Sequence, residues 1–177
     1  FCAADGTLPN FNGGGENHPL RLRAIMKAAP DILTKPFGYC PHTGYQRISS
    51  SGTLLIMDTG GTPPGPFDSQ AHLAPGSFEL STKVGRLVVN CGWSRQQPRK
   101  FKKSVRNTAA HSTLVLNNES AGRIVKDGWL ARTLGDVVTF GVGPVTVSRK
   151  EQDSGTWVEV SHGGYRKKIG LLHKRRV

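Results

Sequence analysis

Long apolar runs are missing from this 177-residue chain. None approaches the roughly 20 residues that a helix needs to span a bilayer, so no membrane span is read and a soluble chain is expected. The opening FCAADGTLPNF has no basic segment ahead of an apolar core, so no secretory signal is read there. Cysteine is scarce. Cys2, Cys40 and Cys91 are odd in number and unpatterned in spacing, which argues against a disulfide framework and against a cysteine-rich zinc site. A glycine-rich phosphate loop, a nucleophile elbow and an HExxH pair are all absent. Asp58, Asp68 and Glu79 make no closely spaced carboxylate pair of the glycosidase kind. The chain also lacks an initiator methionine and ends on basic residues after an apolar run, so it is expected to be a piece of a longer polypeptide.

Acidic residues are few, 12 against 24 Lys and Arg, for a formal net charge of +12. The cations concentrate in RQQPRKFKK (95–103) and YRKKIGLLHKRR (165–176). Such a field draws polyanions: nucleic acid, an anionic membrane or an acidic polysaccharide. A solvated face is the plainer explanation of the same charge. A single interleaved aromatic, Phe101, is thin support for stacking single-stranded nucleic acid, which is the least favoured partner.

NGGG at 12–15 marks a loop. Leu22, Ile25, Met26 and Ala29 then fall on one helical face, which predicts a helix over 18–29 with Asn17 as cap and Pro30 as stop. From residue 44 the pattern turns to strands. Hairpins are predicted at 45–59, 77–90 and 145–161, with further strands at 112–117, 136–140 and 168–173. Short strands with turns between them predict a mainly β chain, an antiparallel sandwich or barrel, and the sandwich is the expectation taken forward. The inward residues should include Leu55, Met57, Phe78, Leu80, Val88, Leu114, Leu116, Val158 and Val160, with Ser77 and Glu79 facing out. Long loops at 60–76 and 92–110 break the rhythm and are candidates for function.

His72 lies just before one predicted strand, Asn90 ends the next, and His111 follows the basic loop. Two imidazoles and an oxygen can converge as zinc ligands, although a neutral amide in place of a carboxylate weakens the trap. Any such site should be weak and sensitive to acid. The alternative is that both histidines hydrogen-bond loop backbone.

The order PHTGYQRISSSGTLLIMDTG, AHLAPGSFELSTKVGRLVVNCG, RNTAAHSTLVLNNES, WVEVSHGGYRKKIGLLHKRR resembles the C-terminal β domain of the heparinase II/III polysaccharide lyases, in their alphaproteobacterial branch. NFNGGGENHPLRLRAIMKAA resembles the last turns of the helical toroid that precedes that domain. The resemblance implies residues 1–40 as the end of the toroid and its linker, and 41–177 as a β-sandwich domain, truncated at Val177. It implies β-elimination on an acidic, uronate-containing polysaccharide, a place in the cell envelope or periplasm, and a partner in the missing toroid, where the family keeps its principal Asn or His and its Tyr. It places a catalytic histidine at Gln70 and metal ligands at His72, Asn90 and His111, with Ala74 where an aspartate is expected. Gln70 cannot act as a general base, so the chain alone is expected to be inactive. The basic loop residues Arg95, Arg99, Lys100, Lys102, Lys103 and Arg106 are expected on a substrate-facing rim. The alternative is a non-catalytic module that binds a polyanion.

Overall fold

The computed structural model describes residues 1–15, 18–29, 36–65, 67–125 and 128–177. Helix α1 (Pro19–Ala28) precedes β1 (Tyr39–Cys40), β2 (Tyr45–Ser50), β3 (Thr53–Asp58), β4 (Phe78–Thr82) and β5 (Arg86–Val88), which form one antiparallel sheet in chain order. Helix α2 (Arg99–Ser104) and a 3-10 turn at Thr108–Ala110 follow. The short strand β6 (Arg123–Ile124) pairs with β7 (Val138–Phe140), with α3 (Trp129–Leu134) between them. The second main sheet holds β8 (Val145–Gln152), β9 (Gly155–His162) and β10 (His173–Arg176), also antiparallel, with α4 (Arg166–Ile169) ahead of β10.

Hairpin β2–β3 turns on Ser51 and Gly52, both at positive φ (45° and 83°). That pair of left-handed residues matches the twist of the flanking strands, and the register runs unbroken from Tyr45 opposite Asp58 to Ser50 opposite Thr53. It sets Ile48, Leu55, Met57 and Phe78 on one face, where they meet Val145, Val147, Val158 and Val160 of the second sheet. The result is the expected antiparallel sandwich. Its centre is Met57, Val158 and Val160, all fully buried.

The other face of the first sheet departs from expectation. Ser77 and Glu79, expected outside, are 1% and 4% exposed. The alternation is present, but residues 1–15 lie across the polar face and cover it. Phe11 packs on Leu54 and Ile56 with Phe1 and Tyr45 beside them, and the Asn10 amide donates to Glu79 Oε1 at 2.9 Å. Phe78, Leu80, Val88 and Leu116 are half-buried, and Leu114 is 40% exposed.

Two predicted strands are corrected. Residues 112–117 form no strand, only an isolated bridge from Leu116 to Glu119, because Asn117 and Asn118 turn the chain through the left-handed region. Residues 168–173 are split: α4 ends at Gly170, left-handed at φ 81°, and pairing resumes only at His173. Helix α1 stands where the spacing predicts it, but His18 caps it, Nδ1 accepting from the Leu20 amide. Asn17 and Pro30 lie outside the described residues. None of its residues is buried, so Ile25 and Met26 stay exposed on its apolar face. Among the described residues no helix is long and apolar enough to cross a membrane.

Strands β9 and β10 are joined by a buried imidazole pair, His162 Nε2 and His173 Nδ1 lying 2.9 Å apart opposite one another in the ladder. Burial, then the neighbouring His173, pushes His162 down to about 4; burial, then Arg175, lowers His173. A histidine with a depressed folded value binds fewer protons than its unfolded counterpart, so its contribution is full above about 6.5 and is lost as pH falls toward 4. Thermal melts between pH 7.5 and 4.5 should therefore show a falling midpoint, and His162→Asn/His173→Asn should give a shallower slope. A slope unchanged in the double variant would remove the pair from the account.

Candidate functional site

The loop QAHLAPGSF is where sequence and structure converge on chemistry. Residues 71–77 are all buried although they form no regular element until Phe78. A buried loop must place every carbonyl against a donor. Arg106 supplies two, its Nε bonding Ala71 O at 2.9 Å and its Nη2 bonding Asp68 O at 2.7 Å. The hydroxyls of Thr108 and Thr113 serve Leu73 O and Pro75 O, and Arg175 Nη1 from β10 bonds Gly76 O at 2.7 Å.

The loop carries His72 against His111, rings stacked at 4.3 Å between centroids and 26° between planes. Burial first, then His111 and Arg106, pushes His72 down to about 3; burial pushes His111 to about 4. Both imidazoles are neutral at physiological pH. His111 Nε2 lies 2.7 Å from Val105 O, so it carries the proton and donates, which leaves Nδ1 bare and buried with no partner among the described residues. His72 Nδ1 and Nε2 each lie 3.2 Å from a backbone N–H, those of Asn12 and Gly13. A neutral ring accepts at only one nitrogen, so its lone pair is committed to the N-terminal segment. Asn90 Oδ1 accepts from the Ser112 amide at 2.8 Å, and its Nδ2 is buried with no partner among the described residues.

These residues fit zinc poorly. His111 has the second-nitrogen anchor and the bare nitrogen of a ligand. His72 instead faces two N–H dipoles, whose positive ends oppose a cation, and Asn90 brings no charge. Among the described residues no three His, Cys, Asp or Glu side chains gather to hold a metal ion.

Gln70 is exposed beside Gly13, close enough that a Cβ on Gly13 would meet its Oε1 at 2.4 Å. Gly13 lines a cleft of about 580 Å³ with Phe11, Tyr45, Trp93, Arg21 and Arg95. Tyr45 of the cleft and the neighbouring Asp58 are both reached by Asn12 Nδ2, at 3.2 and 2.9 Å. Asp58, buried, is pushed up to about 6 although the Gly60 amide and Asn12 Nδ2 donate to it, each at 2.9 Å. Tyr45 is pushed up to about 12 by burial, then by Asp58, and so keeps its phenolic proton. The signal available was Asn12-Gly13, an Asn-Gly step suited to the positive φ that both adopt.

The basic loop does not form one rim. Arg106 is 2% exposed and bonds Ala71 O, Asp68 O and Asp136 O, so it belongs to the interior. Arg95 lines the cleft beside Trp93, and Lys102 Nζ sits 4.9 Å above the Trp93 ring while donating to Arg95 O at 2.6 Å. Arg99, Lys100 and Lys103 line a separate groove of about 1000 Å³. The loop missed as helix is α2: its lysines and arginine suit a helix, and with no apolar stripe to give a period it was read as irregular.

With this geometry in place, residues 33–177 match the heparinase II/III-like, C-terminal family. The chain belongs to that family. This heparinase II/III-like domain is also 32% identical over 177 residues to FtsZ-localized protein C of Caulobacter vibrioides (strain NA1000 / CB15N), in agreement with the alphaproteobacterial branch. All of the chain is covered in that alignment, and 30% of the relative. Among solved structures, a heparinase III (the BT4657 gene product) superposes with a TM-score of 0.66 at 15% identity, over 99% of this chain and 28% of that one. Heparan sulfate lyase HepC from Pedobacter heparinus superposes at 0.63 and 18% identity, again over 99% and 28%. The heparinase II/III-like domain thus spans under a third of each of these proteins.

Two outcomes are expected from the site. Arg106→Ala strands three carbonyls and should cost about 3 kcal/mol in urea unfolding, against less than about 0.5 kcal/mol for exposed Lys100→Ala. Protein purified without chelator should carry far less than one zinc per chain. Equimolar zinc that raised the melting temperature of the wild type, but not of His72→Ala, would reverse the reading of the imidazoles.

Proposed function

We propose that this chain is the β-sandwich portion of a polysaccharide lyase-like protein that acts on acidic, uronate-containing polysaccharide by β-elimination. Residues 1–40 end a helical toroid and its linker, residues 41–177 form the β domain, and the lyase works in the cell envelope or periplasm. The observation that carries this reading is the cleft beside Gln70, lined by Arg21 and Arg95. β-Elimination needs a group to take the C5 proton, a charge to stabilise the carboxylate as negative charge develops, and an acid for the departing C4 oxygen. Arg95 and Arg21 line the cleft and supply positive charge. Gln70 accepts no proton at neutral pH, and His72 and His111 take one only near pH 3 to 4. This chain therefore supplies binding, and the base comes from the toroid.

A second reading is favoured by the same substitutions. With Gln70, Ala74 and Asn90 standing where the family resemblance expects a histidine and two carboxylates, the domain binds a polyanion without cleaving it. The Caulobacter relative is named for localisation with FtsZ. Incubating the full-length protein with a panel of acidic glycans separates the two. Release of unsaturated uronate, read by its ultraviolet absorbance, is expected. Glycan binding with no such product would replace the lyase with the binding-only module.

A further inference from the structure

We propose that the groove between α2, α3, α4 and β6 is a second binding site for an acidic glycan, separate from the cleft beside Gln70. The inference rests on the reading above that the parent protein engages acidic polysaccharide. It deepens that reading by assigning a surface. The two cavities share no lining residue. At about 1000 Å³ the groove is at the upper end of ligand-site volumes, large enough for several sugar rings.

Its charge comes from four elements distant in sequence. Arg99, Lys100 and Lys103 lie on α2, Arg123 on β6, Arg132 on α3 and Lys168 on α4. Among the described lining residues one carboxylate faces these six cations, Glu119, which pairs with Lys168 at 2.8 Å. Asp136, flanking the groove, pairs with Arg99 at 3.1 Å and with Lys103 at 3.9 Å, which leaves the groove with an excess of cations over the carboxylates described there. Positive charge of this density, converging on one concavity, focuses potential on an anionic chain laid along it.

The rest of the lining decides which polyanion. Ile124 and Val125 are its apolar side chains and both are buried in the core with Leu73, so the groove offers no anchor pockets of the kind an amphipathic peptide needs. Among the described lining residues none is an aromatic on which successive bases could stack, which disfavours single-stranded nucleic acid. Ser104 and Asn107 add neutral hydroxyl and amide groups between the cations. Spaced point charges with neutral hydrogen-bonding groups among them fit a polymer that carries carboxylates or sulfates at intervals along hydroxyl-rich rings.

The test uses the full-length protein, a heparin-derived octasaccharide, a uronate-only octasaccharide from alginate, and a neutral oligosaccharide of equal length, in 0.15 M salt. Lys100→Ala/Arg123→Ala/Arg132→Ala should weaken both acidic oligosaccharides at least tenfold with the melting temperature unchanged. Lys27→Ala/Lys83→Ala/Lys150→Ala, which removes equal charge elsewhere, should change them less than twofold, and the neutral sugar should not bind. If the groove triple lowers the melting temperature, the single Lys100→Glu at an exposed position takes its place. Equal losses in the two triples would reduce the effect to undirected charge and overturn the proposal, as would wild-type affinity in the groove variant. Polyglutamate or oligo-dT binding the groove as tightly as the acidic sugars would overturn the glycan assignment. A protein that releases no unsaturated uronate yet loses octasaccharide binding in the groove triple keeps this inference and loses the lyase reading. One that releases unsaturated uronate while the groove triple binds both acidic octasaccharides with wild-type affinity does the opposite.

Discussion

The obligation to satisfy the backbone of one buried loop shapes much of this molecule. Residues 71–77 run through the interior without strand or helix partners, and an interior carbonyl with no donor costs about 1 to 3 kcal/mol. Donors come from Arg106, Thr108 and Thr113 on the following segment and from Arg175 on β10. The loop is thereby rigid, and the imidazole it carries is held against His111 and the N-terminal segment. A basic residue that charge alone assigns to the surface is in fact an interior strut, since one guanidinium bonds three carbonyls in three directions.

That strut explains what was legible in the sequence and what was not. Period-two patterning located β2, β3, β4, β8 and β9, because those strands pack a single apolar face between two sheets. It failed at Ser77 and Glu79, where the second face is covered by residues 1–15, a segment whose glycines and asparagines carry no periodic signal. It failed again at 112–117, where Leu114 and Leu116 alternate as a strand would but two left-handed asparagines break the ladder. Of the candidate site, His72 and His111 lie stacked on one another. Their partners Asn12 and Gly13 were legible only as a turn, because nothing local in residues 1–15 declares which face of which sheet they will cover.

The cations follow a similar division. A run such as RKFKK looks uniform in sequence, yet winding Arg99–Ser104 as a helix sends Arg99, Lys100 and Lys103 to one concavity while Lys102 turns back to Trp93. Helical geometry distributes neighbours in the chain over different faces. Two surfaces with different chemistry emerge from one basic segment, one bordered by aromatic rings and glycine backbone, the other by cations from four separate elements.

Arg175 has a further consequence, for the order in which the parts come together. It bonds Gly76 O and Ser112 O across sequence separations of 99 and 63 residues, so the loop that holds His72 gains its last donor only when β10 docks on β9. Contacts of such separation close late, because the entropy of joining distant segments must be met first. While the polypeptide is being synthesised, Ala71 to Ser77 wait for a strand made roughly a hundred residues afterwards. Until then Gly76 O and Ser112 O, on either side of the imidazole stack, lack the Arg175 guanidinium and stay open to water.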